Sequence, residues 1–503
     1  MKKMSKICDK SMNFKDCELA ILRNAVDKIE EKVGKKQIDN PEISVIISIV
    51  EDFIQKRKRI CYGGTAINNI LPEKEQFYRK DIELPDYDFF SPTPLKDAKD
   101  LANIYYKKGF VEVQASAGVH TGTFKVFVNF IPVADITFLV PELYKNLLVK
   151  SVNIAGIRYC PPNYLRMLMY LELSRPKGDA SRWEKVLKRL TILNKNYPLS
   201  ASKCDVNVIQ RIFERGYKGQ SIIAGVIMDE DTFKNREEKI FMITRETLNS
   251  LGCVFFGAFA NRLYLKNTKE LSRKPVPKIP DFDVLSTDPF QSATILKERL
   301  KAEGIKKITI KKHKGVGEII APHYEIKIRG ETIAFIYEPL ACHSYNIIHI
   351  KGKKIKVATI DTMLSFYLAF LYVNRPYYDP NRIICMSEFL FKVQQKNRLQ
   401  QKGLLKRFSV NCYGTQLTME KMREEKANKY KELKNKRGSK EWEWFFLKYS
   451  PADNELKKLE KNTKNTKNTK NTKKHKTHTK KKTRKKKNKT RKIKSRVMKF
   501  LGL

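Results

Sequence analysis

Asp86 and Asp88 stand two residues apart in the run PDYDFFSP (85–92), and a third acid, Asp135, interrupts the apolar stretch 133–137, VADIT. On an extended backbone residues i and i+2 share a face, so Asp86 and Asp88 present two carboxylates side by side while Tyr87 and Phe89 turn into the layer behind. Neighbouring carboxylates repel, and the repulsion raises a pKa unless hydrogen bonds or a cation absorb it. A divalent cation gives the pair a reason to exist, so metal ligation is favoured over a bare acid/base dyad. An unpaired Asp135 among apolar neighbours would be costly. If its strand adjoins the first, the three acids can hold two divalent ions roughly 4 Å apart, the arrangement used for in-line phosphoryl and nucleotidyl transfer. Asp135 could instead act partly as a base.

Ahead of the acid pair comes Gly63-Gly64-Thr65. Paired glycines let backbone N–H groups approach a phosphate, and a helix starting near Thr65 turns its positive end the same way. Alone, the turn is equally a plain strand-to-helix connection; the acids that follow tip it toward phosphate. His120, His313, His323, His343 and His349 lack zinc spacing, and no Ser-His-Asp or Cys-His arrangement is supported.

The elements that must carry these residues are legible in outline. Leu19, Leu22, Val26, Ile29 and Val33 repeat at three and four, and Asn40-Pro41 reads as an N-cap with an N1 proline, so the first sixty residues form two packing helices. Residues 59–62 suggest a short strand and 86–90 a second. Thr93-Pro94 opens a helix that ends at Gly109, and 110–116, 123–130 and 133–140 have strand composition. Helices follow at 163–173 and 181–193.

Sliding the chain against itself reveals a repeat. Asp86, Tyr87 and Asp88 return as Asp281, Phe282 and Asp283; Ser91, Pro94, Ala98, Leu101 and Gly109 return as Ser286, Pro289, Ala293, Leu296 and Gly304, all offset by 195. Gly63 returns as Gly257, and Arg175-Pro176 as Arg375-Pro376 at an offset of 200, which implies a loop insertion. Asp229-Glu230-Asp231 falls outside this colinear set and reads as a chance acidic run.

Net charge is +47 over 503 residues, and no acidic residue occurs after Glu460, which points to a polyanionic partner. Residues 451–503 have too little apolar surface to order and read as a disordered tail, serving RNA attraction, localisation or solubility. Nine scattered cysteines without a C-x-x-C pair argue against disulfides or zinc and for a reducing compartment. The absence of a membrane-length apolar run suits a soluble intracellular protein.

The segments CYGGTAINN (61–69), PDYDFFSP (85–92), VADIT (133–137) and LSRPKGDASRWEKVLKRL (173–190) together resemble the nucleotidyltransferase superfamily, and within it the poly(A) polymerase catalytic subunits of large nucleocytoplasmic DNA viruses, the giant-virus members above all. The likeness spans nearly all of residues 1–450. It implies a mixed α/β (α+β) fold of two tandem nucleotidyltransferase-like domains with helical elements, the second degenerate, plus the basic tail. The corresponding boundaries are 1–58 for an N-terminal helical region, 59–220 for the catalytic domain, 221–450 for the degenerate copy and 451–503 for the tail. It further implies template-independent addition of adenylate from ATP to mRNA 3′ ends with two Mg²⁺ or Mn²⁺ ions. The RNA would lie in a basic groove, with no membrane partner. Giant-virus relatives look homodimeric, and the place of action would be the virion and the host cytoplasm.

Roles follow from the resemblance. Asp86 and Asp88 would hold both ions, with Asp135 on the ion that activates the attacking 3′-hydroxyl. Gly63, Gly64 and Thr65 would cradle the triphosphate. Arg175, Lys177, Lys185 and Lys188 are candidates for phosphate contacts, against the alternative of a solvated helix face. Tyr164 or Trp183 would stack on adenine or pack in the core. In the second copy Gly257-Ala258-Phe259 replaces the double glycine. Aligning Ala134 with Ala334 puts Phe335 opposite Asp135, and a slide of two puts Ile333 there. The third acid is lost either way, Glu331 and Glu338 being the alternative acids nearby, so the copy is expected to be inactive and to supply RNA-binding or dimer surface.

Two other readings remain. An oligoadenylate synthase, a tRNA-end transferase or a protein-modifying nucleotidyltransferase shares the same acids. A packaged nucleic-acid-binding protein would use them structurally, although three mutually repelling acids have no evident use without metal.

Overall fold

The computed structural model describes residues 7–8, 12–38, 40–78, 83–200, 230–264, 281–350 and 352–456; the Lys-rich tail beyond 456, Asp229 and the 220/221 boundary lie outside the described residues. Met1–Tyr449 form one compact unit.

The first sheet is built from β1 (Ile60–Cys61), β2 (Tyr87–Ser91), β3 (Val113–Ala117), β4 (Thr123–Val128), β5 (Ile131–Phe138), β6 (Val152–Ile154) and β7 (Ile157–Tyr159). Its order is β3-β4-β5-β2-β1-β7-β6. The second uses β8 (Val254–Phe256), β9 (Phe282–Leu285), β10 (Ile308–His313), β11 (His323–Ile328), β12 (Glu331–Tyr337), β13 (His343–Ile350) and β14 (Lys353–Ala358). Its order, β10-β11-β12-β9-β8-β14-β13, is the same topology strand for strand. The repeat is therefore architectural. Val113 and Ile308 begin corresponding strands at an offset of 195, whereas Thr123 and His323 do so at 200, which locates the inserted residues in the connection between β10 and β11.

Each sheet gains one further edge strand. In the second, β15 (Cys412–Tyr413) joins β13. In the first, β16 (Lys448–Tyr449) returns from the end of the unit to pair with β3, placing Lys448 opposite Ser116. Trp444 just before it packs on Phe124 and Phe138, both at 5.5 Å between ring centroids, so the chain's return buttresses β4 and β5.

The N-terminal helices form as expected, α1 (Phe14–Ile38) and α2 (Pro41–Lys56), and the Asn40 side chain accepts from the Glu42 N–H at 3.0 Å beside the N1 proline. Only α2 packs as the sequence suggests, burying Ile43, Ile46, Ile49, Val50, Phe53 and Ile54. Each contributes roughly 1.5–3 kcal/mol of apolar burial. The α1 stripe is a correction: Leu19, Leu22, Val26 and Ile29 are exposed, because no described element of this chain covers that face.

The cysteine expectation also fails. Cys342 is joined to Cys412, and Cys8 to Cys17. Distance along the sequence says little about distance in space: Cys342 immediately precedes β13, and β15 pairs with β13 so that Ser344 faces Cys412. The cysteine pattern consequently lends no support to a reducing compartment. Cys61, Cys160 and Cys253 are free and buried. No described helix is long and apolar enough to cross a membrane.

Candidate active site

Local sequence places the site at the seam of β1, β2 and β5. Tyr62 follows β1, stacks on Phe90 with ring centroids 4.0 Å apart, and donates its backbone N–H to the Asp88 carbonyl at 2.9 Å. Behind β2, Tyr87 is buried with its hydroxyl on Glu51, and Phe89 is buried in the core. Asp88 is thereby held on the opposite face. β5 runs parallel to β2 with Asp135 directly across from Asp88, and β4 runs antiparallel to β5 with Lys125 across from Asp135. Lys125 and Asp135 form an ion pair. The register thus sets one row of charges, Lys125, Asp135 and Asp88, with Asp86 two residues earlier.

Burial, then the charges of Asp86 and Asp135, push the Asp88 carboxyl up to about 7, against the smaller pull of Lys125 and Arg182. Asp86 is more open to solvent, yet partial desolvation and then Asp135 raise it as well. Asp86 and Asp88, whose ionisation the neighbouring Asp135 disfavours, make with it the oxygen-donor set of a hard divalent cation. Among the described residues no three such groups already close round an ion. Lys125 supplies the charge opposite Asp135.

The glycines begin α3 (Gly63–Ile70) itself rather than a turn before it, a small correction. Gly63 has φ +75°, and a side chain there would collide with the Asp88 carboxylate. Only glycine combines that backbone with that approach. A Cβ at Gly64 would meet the Arg189 guanidinium at 3.0 Å. Tyr62 offers no side-chain cap, so the first-turn N–H groups stay available to an anion. The buried Thr65 hydroxyl donates to the Asp86 carbonyl at 2.7 Å and so fixes the acid's backbone.

The basic candidates separate. On α7 (Trp183–Asn196), Lys185 is exposed and shares a face with Arg182 and Arg189 by helical spacing. Lys188 points elsewhere, paired with Glu184 at 2.7 Å and exposed, as the solvated-face alternative predicts. Lys177 is exposed in the loop before α7. Arg175 is not brought to the acids. It lines a cavity with Met167, Phe256, Glu318 and His343, where burial lowers its guanidinium to about 10. Tyr164 is core, edge-on to Phe90 and Tyr372, and Trp183 is pinned by its indole N–H to the Glu172 carbonyl at 3.1 Å.

Sequence reasoning missed Lys125, Arg182, Arg189 and Tyr78. Arg189 donates to the Tyr78 hydroxyl at 2.7 Å and lies over the Phe77 ring at 5.0 Å, beside Gly64. Lys125 carried a signal: it is a lone charge in the apolar alternation of β4, just as Asp135 is in β5.

A family model, described as the poly(A) polymerase catalytic subunit, matches residues 48–179, which enclose β1, α3, β2 and β5 with all three acids. The catalytic segment of the chain is thus similar to the poly(A) polymerase catalytic subunits. A putative poly(A) polymerase catalytic subunit of Acanthamoeba polyphaga mimivirus is 26% identical over 460 residues, covering 83% of this chain and 74% of that one. One from African swine fever virus (isolate Tick/Malawi/Lil 20-1/1983) is 30% identical over 203 residues, 39% of this chain and 42% of that protein. The crystal structure of the Megavirus polyadenylate synthase shares the fold at a TM-score of 0.68 and 20% identity, covering 90% of this chain and 89% of that one. The matched family implies a nucleotide substrate and a divalent metal in general, and the acid row offers oxygen donors suited to such a cation.

The raised Asp88 value gives a first prediction. Its folded pKa of about 7 lies above the unfolded value of about 3.9, so its contribution to stability is complete below about pH 4 and lost as pH rises through about 7. In EDTA the melting temperature should therefore fall across that window, and Mg²⁺ or Mn²⁺ should raise it more at pH 8 than at pH 5. Equal stabilisation at both values in differential scanning calorimetry would refute the assignment.

Proposed function

We propose that this chain adds adenylate from ATP, without a template, to the 3′ ends of mRNA. The observation that carries the reading is the register that sets Asp88 beside Asp135 on adjacent parallel strands, under a glycine-led helix N-terminus. Asp86, Asp88 and Asp135 would hold Mg²⁺ or Mn²⁺, which would neutralise the developing phosphoryl charge and activate the 3′-hydroxyl. The remaining work belongs to the chain. The Gly64 region receives the triphosphate on backbone N–H groups, Arg189 and Lys185 flank it, and Lys125 holds Asp135 in place through their ion pair. The net charge of +47 supports a long polyanionic acceptor. Homodimerisation is supported by the exposed apolar stripe of α1. Virion and host cytoplasm as the place of action rests on the viral origin of the relatives.

The second copy is proposed to be inactive. Phe335 pairs with Asp283 in the register where Asp135 pairs with Asp88, which selects the Ala134–Ala334 alignment over the slide to Ile333. Across from Phe335 stands Glu325, in Lys125's place, engaged with His313, Lys327 and Thr332. Asp283 lies under Gly257 and is raised by burial and by Asp281.

Primer extension tests both statements: an oligo(A)-ended RNA, each nucleoside triphosphate separately, with Mg²⁺, Mn²⁺ or EDTA. Metal-dependent ladders with ATP are expected, and Asp281→Ala with Asp283→Ala should retain most of the wild-type rate. Incorporation of no nucleotide by protein that still binds RNA would favour the nucleic-acid-binding reading. A folded double mutant without activity would make the second copy catalytic.

A further inference from the structure

α7 has two working faces. Arg182, Lys185 and Arg189 look toward the acid row, whereas Leu187, Leu190, Thr191 and Asn194 look the opposite way, into a cleft of about 670 Å³. The far side of that cleft is formed by α12 (Pro380–Lys396) and the loop that follows it, both from the second copy. Between α7 and α12 in the chain lie α8 (Glu230–Ser250), α9 (Gly257–Tyr264), α10 (Pro289–Ala302) and α11 (Ile360–Phe370). None of the residues around the three acids lines the cleft, and the thickness of α7 separates it from the Gly64 turn.

Its interior is polar in a specific way. Tyr170 is fully buried with its hydroxyl beside the Asn194 amide. Asn194 is oriented by Arg166, whose Nε donates to its Oδ1 at 2.6 Å, and with one N–H toward Tyr170 the other is left for the cleft. Asp361, 2% exposed, is gripped by Arg407 at 2.8 and 3.1 Å and accepts from Gln394 Nε2 at 3.2 Å. That bond uses one Gln394 N–H and leaves the other, with Oε1, to face a ligand. The buried Arg166 and Asp361–Arg407 groups thus orient two amides, so the polar groups are held rather than adventitious.

The surroundings complete a recognisable chemistry. Phe391 lines the cleft beside Phe408, whose ring carries the Arg407 guanidinium at 4.8 Å, and Arg398 and Lys406 stand exposed at its rim with no ion-pair partner among the described residues. Amide donors and acceptors read the hydrogen-bonding edge of a nucleobase, adenine best of all. Aromatic walls stack its face, and free cations at the mouth meet its phosphate. The volume is that of a single nucleotide-sized ligand.

We propose that this cleft is a second nucleotide-unit site, distinct from the acid row, that takes one nucleobase with its phosphate. The unit comes either from bound RNA upstream of the 3′ end or from free nucleotide, and the chemistry of the site is common to both. The inference goes beyond the proposed activity and is read by binding alone, in EDTA, so loss of catalysis does not bear on it.

The test is photocrosslinking with 8-azido-AMP and with an oligo(A) carrying an internal 8-azidoadenosine, followed by peptide mapping. Label is expected on peptides spanning 187–198 or 391–408, and Thr191→Trp, an exposed position at the mouth, should reduce it at least tenfold. Labelling by 8-azido-AMP would identify free nucleotide as the source; labelling by the oligonucleotide alone would identify RNA. In the RNA case Arg398→Ala with Lys406→Ala should lower the salt slope of oligo(A) binding by about 1.4, at about 0.7 per phosphate contact. Label confined to peptides around 61–78 and 182–189, or label on the cleft peptides unchanged in a folded Thr191→Trp protein, would overturn the proposal and leave the cleft as a hydrated gap.

Discussion

Asp88→Asn is expected to lower adenylate addition by on the order of a thousandfold while raising the melting temperature of the metal-free protein. The two effects have one cause. The carboxylate is crowded by Asp86 and Asp135 and only partly hydrated, so its ionisation is disfavoured up to about pH 7. The amide keeps the shape, fits beneath Gly63, and removes the repulsion. It also removes a ligand charge, and metal stabilisation of a transition state amounts to several kcal/mol, each 1.36 kcal/mol being tenfold in rate. Primer extension with saturating ATP and Mg²⁺, paired with calorimetry in EDTA at pH 8, checks both halves. A residue with a purely structural role would behave in the opposite sense: a variant that is less stable than wild type yet nearly as active would remove Asp88 from the catalytic row.

The second large effect concerns the frame behind the site. Asp97 on α4 (Pro94–Lys107) is fully buried and accepts from Arg59 Nε at 2.6 Å, Arg59 Nη2 at 3.0 Å and Ser91 Oγ at 2.5 Å. Arg59 leads into β1 and Ser91 ends β2, so this cluster ties together the strand that leads to Gly63 and the strand that carries Asp88. Asp97→Ser alone leaves the Arg59 guanidinium buried and uncompensated and should cost about 3–5 kcal/mol. The repeat supplies the control. At the corresponding places the second copy has Cys253, Ser286 and Ser292, with the two serine hydroxyls 2.8 Å apart and the thiol bonded to both. Arg59→Cys combined with Asp97→Ser rebuilds that neutral cluster and should recover most of the loss. Chemical denaturation of the two variants decides the matter; additive destabilisation in the double variant would show that the ion pair does more than satisfy itself.

Much of the chemistry is legible in the residue order alone. The acid spacing, the glycine turn and the period near 195 locate the site and reveal the duplication, because side-chain alternation and local turn rules depend only on neighbours in sequence. The Asn40-Pro41 helix start is equally local. What escapes are relations across the sheet. That Lys125, and not a metal alone, answers Asp135 depends on which strand lies next to β5. That Arg189 rather than Lys188 faces the glycines depends on the rotation of α7 against its neighbours. Arg175 has the look of a phosphate ligand because it belongs to the Arg-Pro pair of the repeat, yet the loop after the helix that ends at Leu173 directs it between the two copies. The exposed α1 stripe and the Cys342–Cys412 link are of the same kind, since periodicity shows that a face is apolar without showing what covers it.

The sequence by itself determined which residues can bear charge, where glycine is obligatory, and that two copies of one pattern follow each other with one acid missing from the second. Only the tertiary structure decided that Asp88 and Asp135 are neighbours, that Phe335 and Glu325 replace Asp135 and Lys125 in the same row, and that the last strand returns to brace the first sheet. The physical reason is that burial, repulsion and ion pairing act over a few ångströms of space, and a folded chain brings residues tens to hundreds of positions apart within that range.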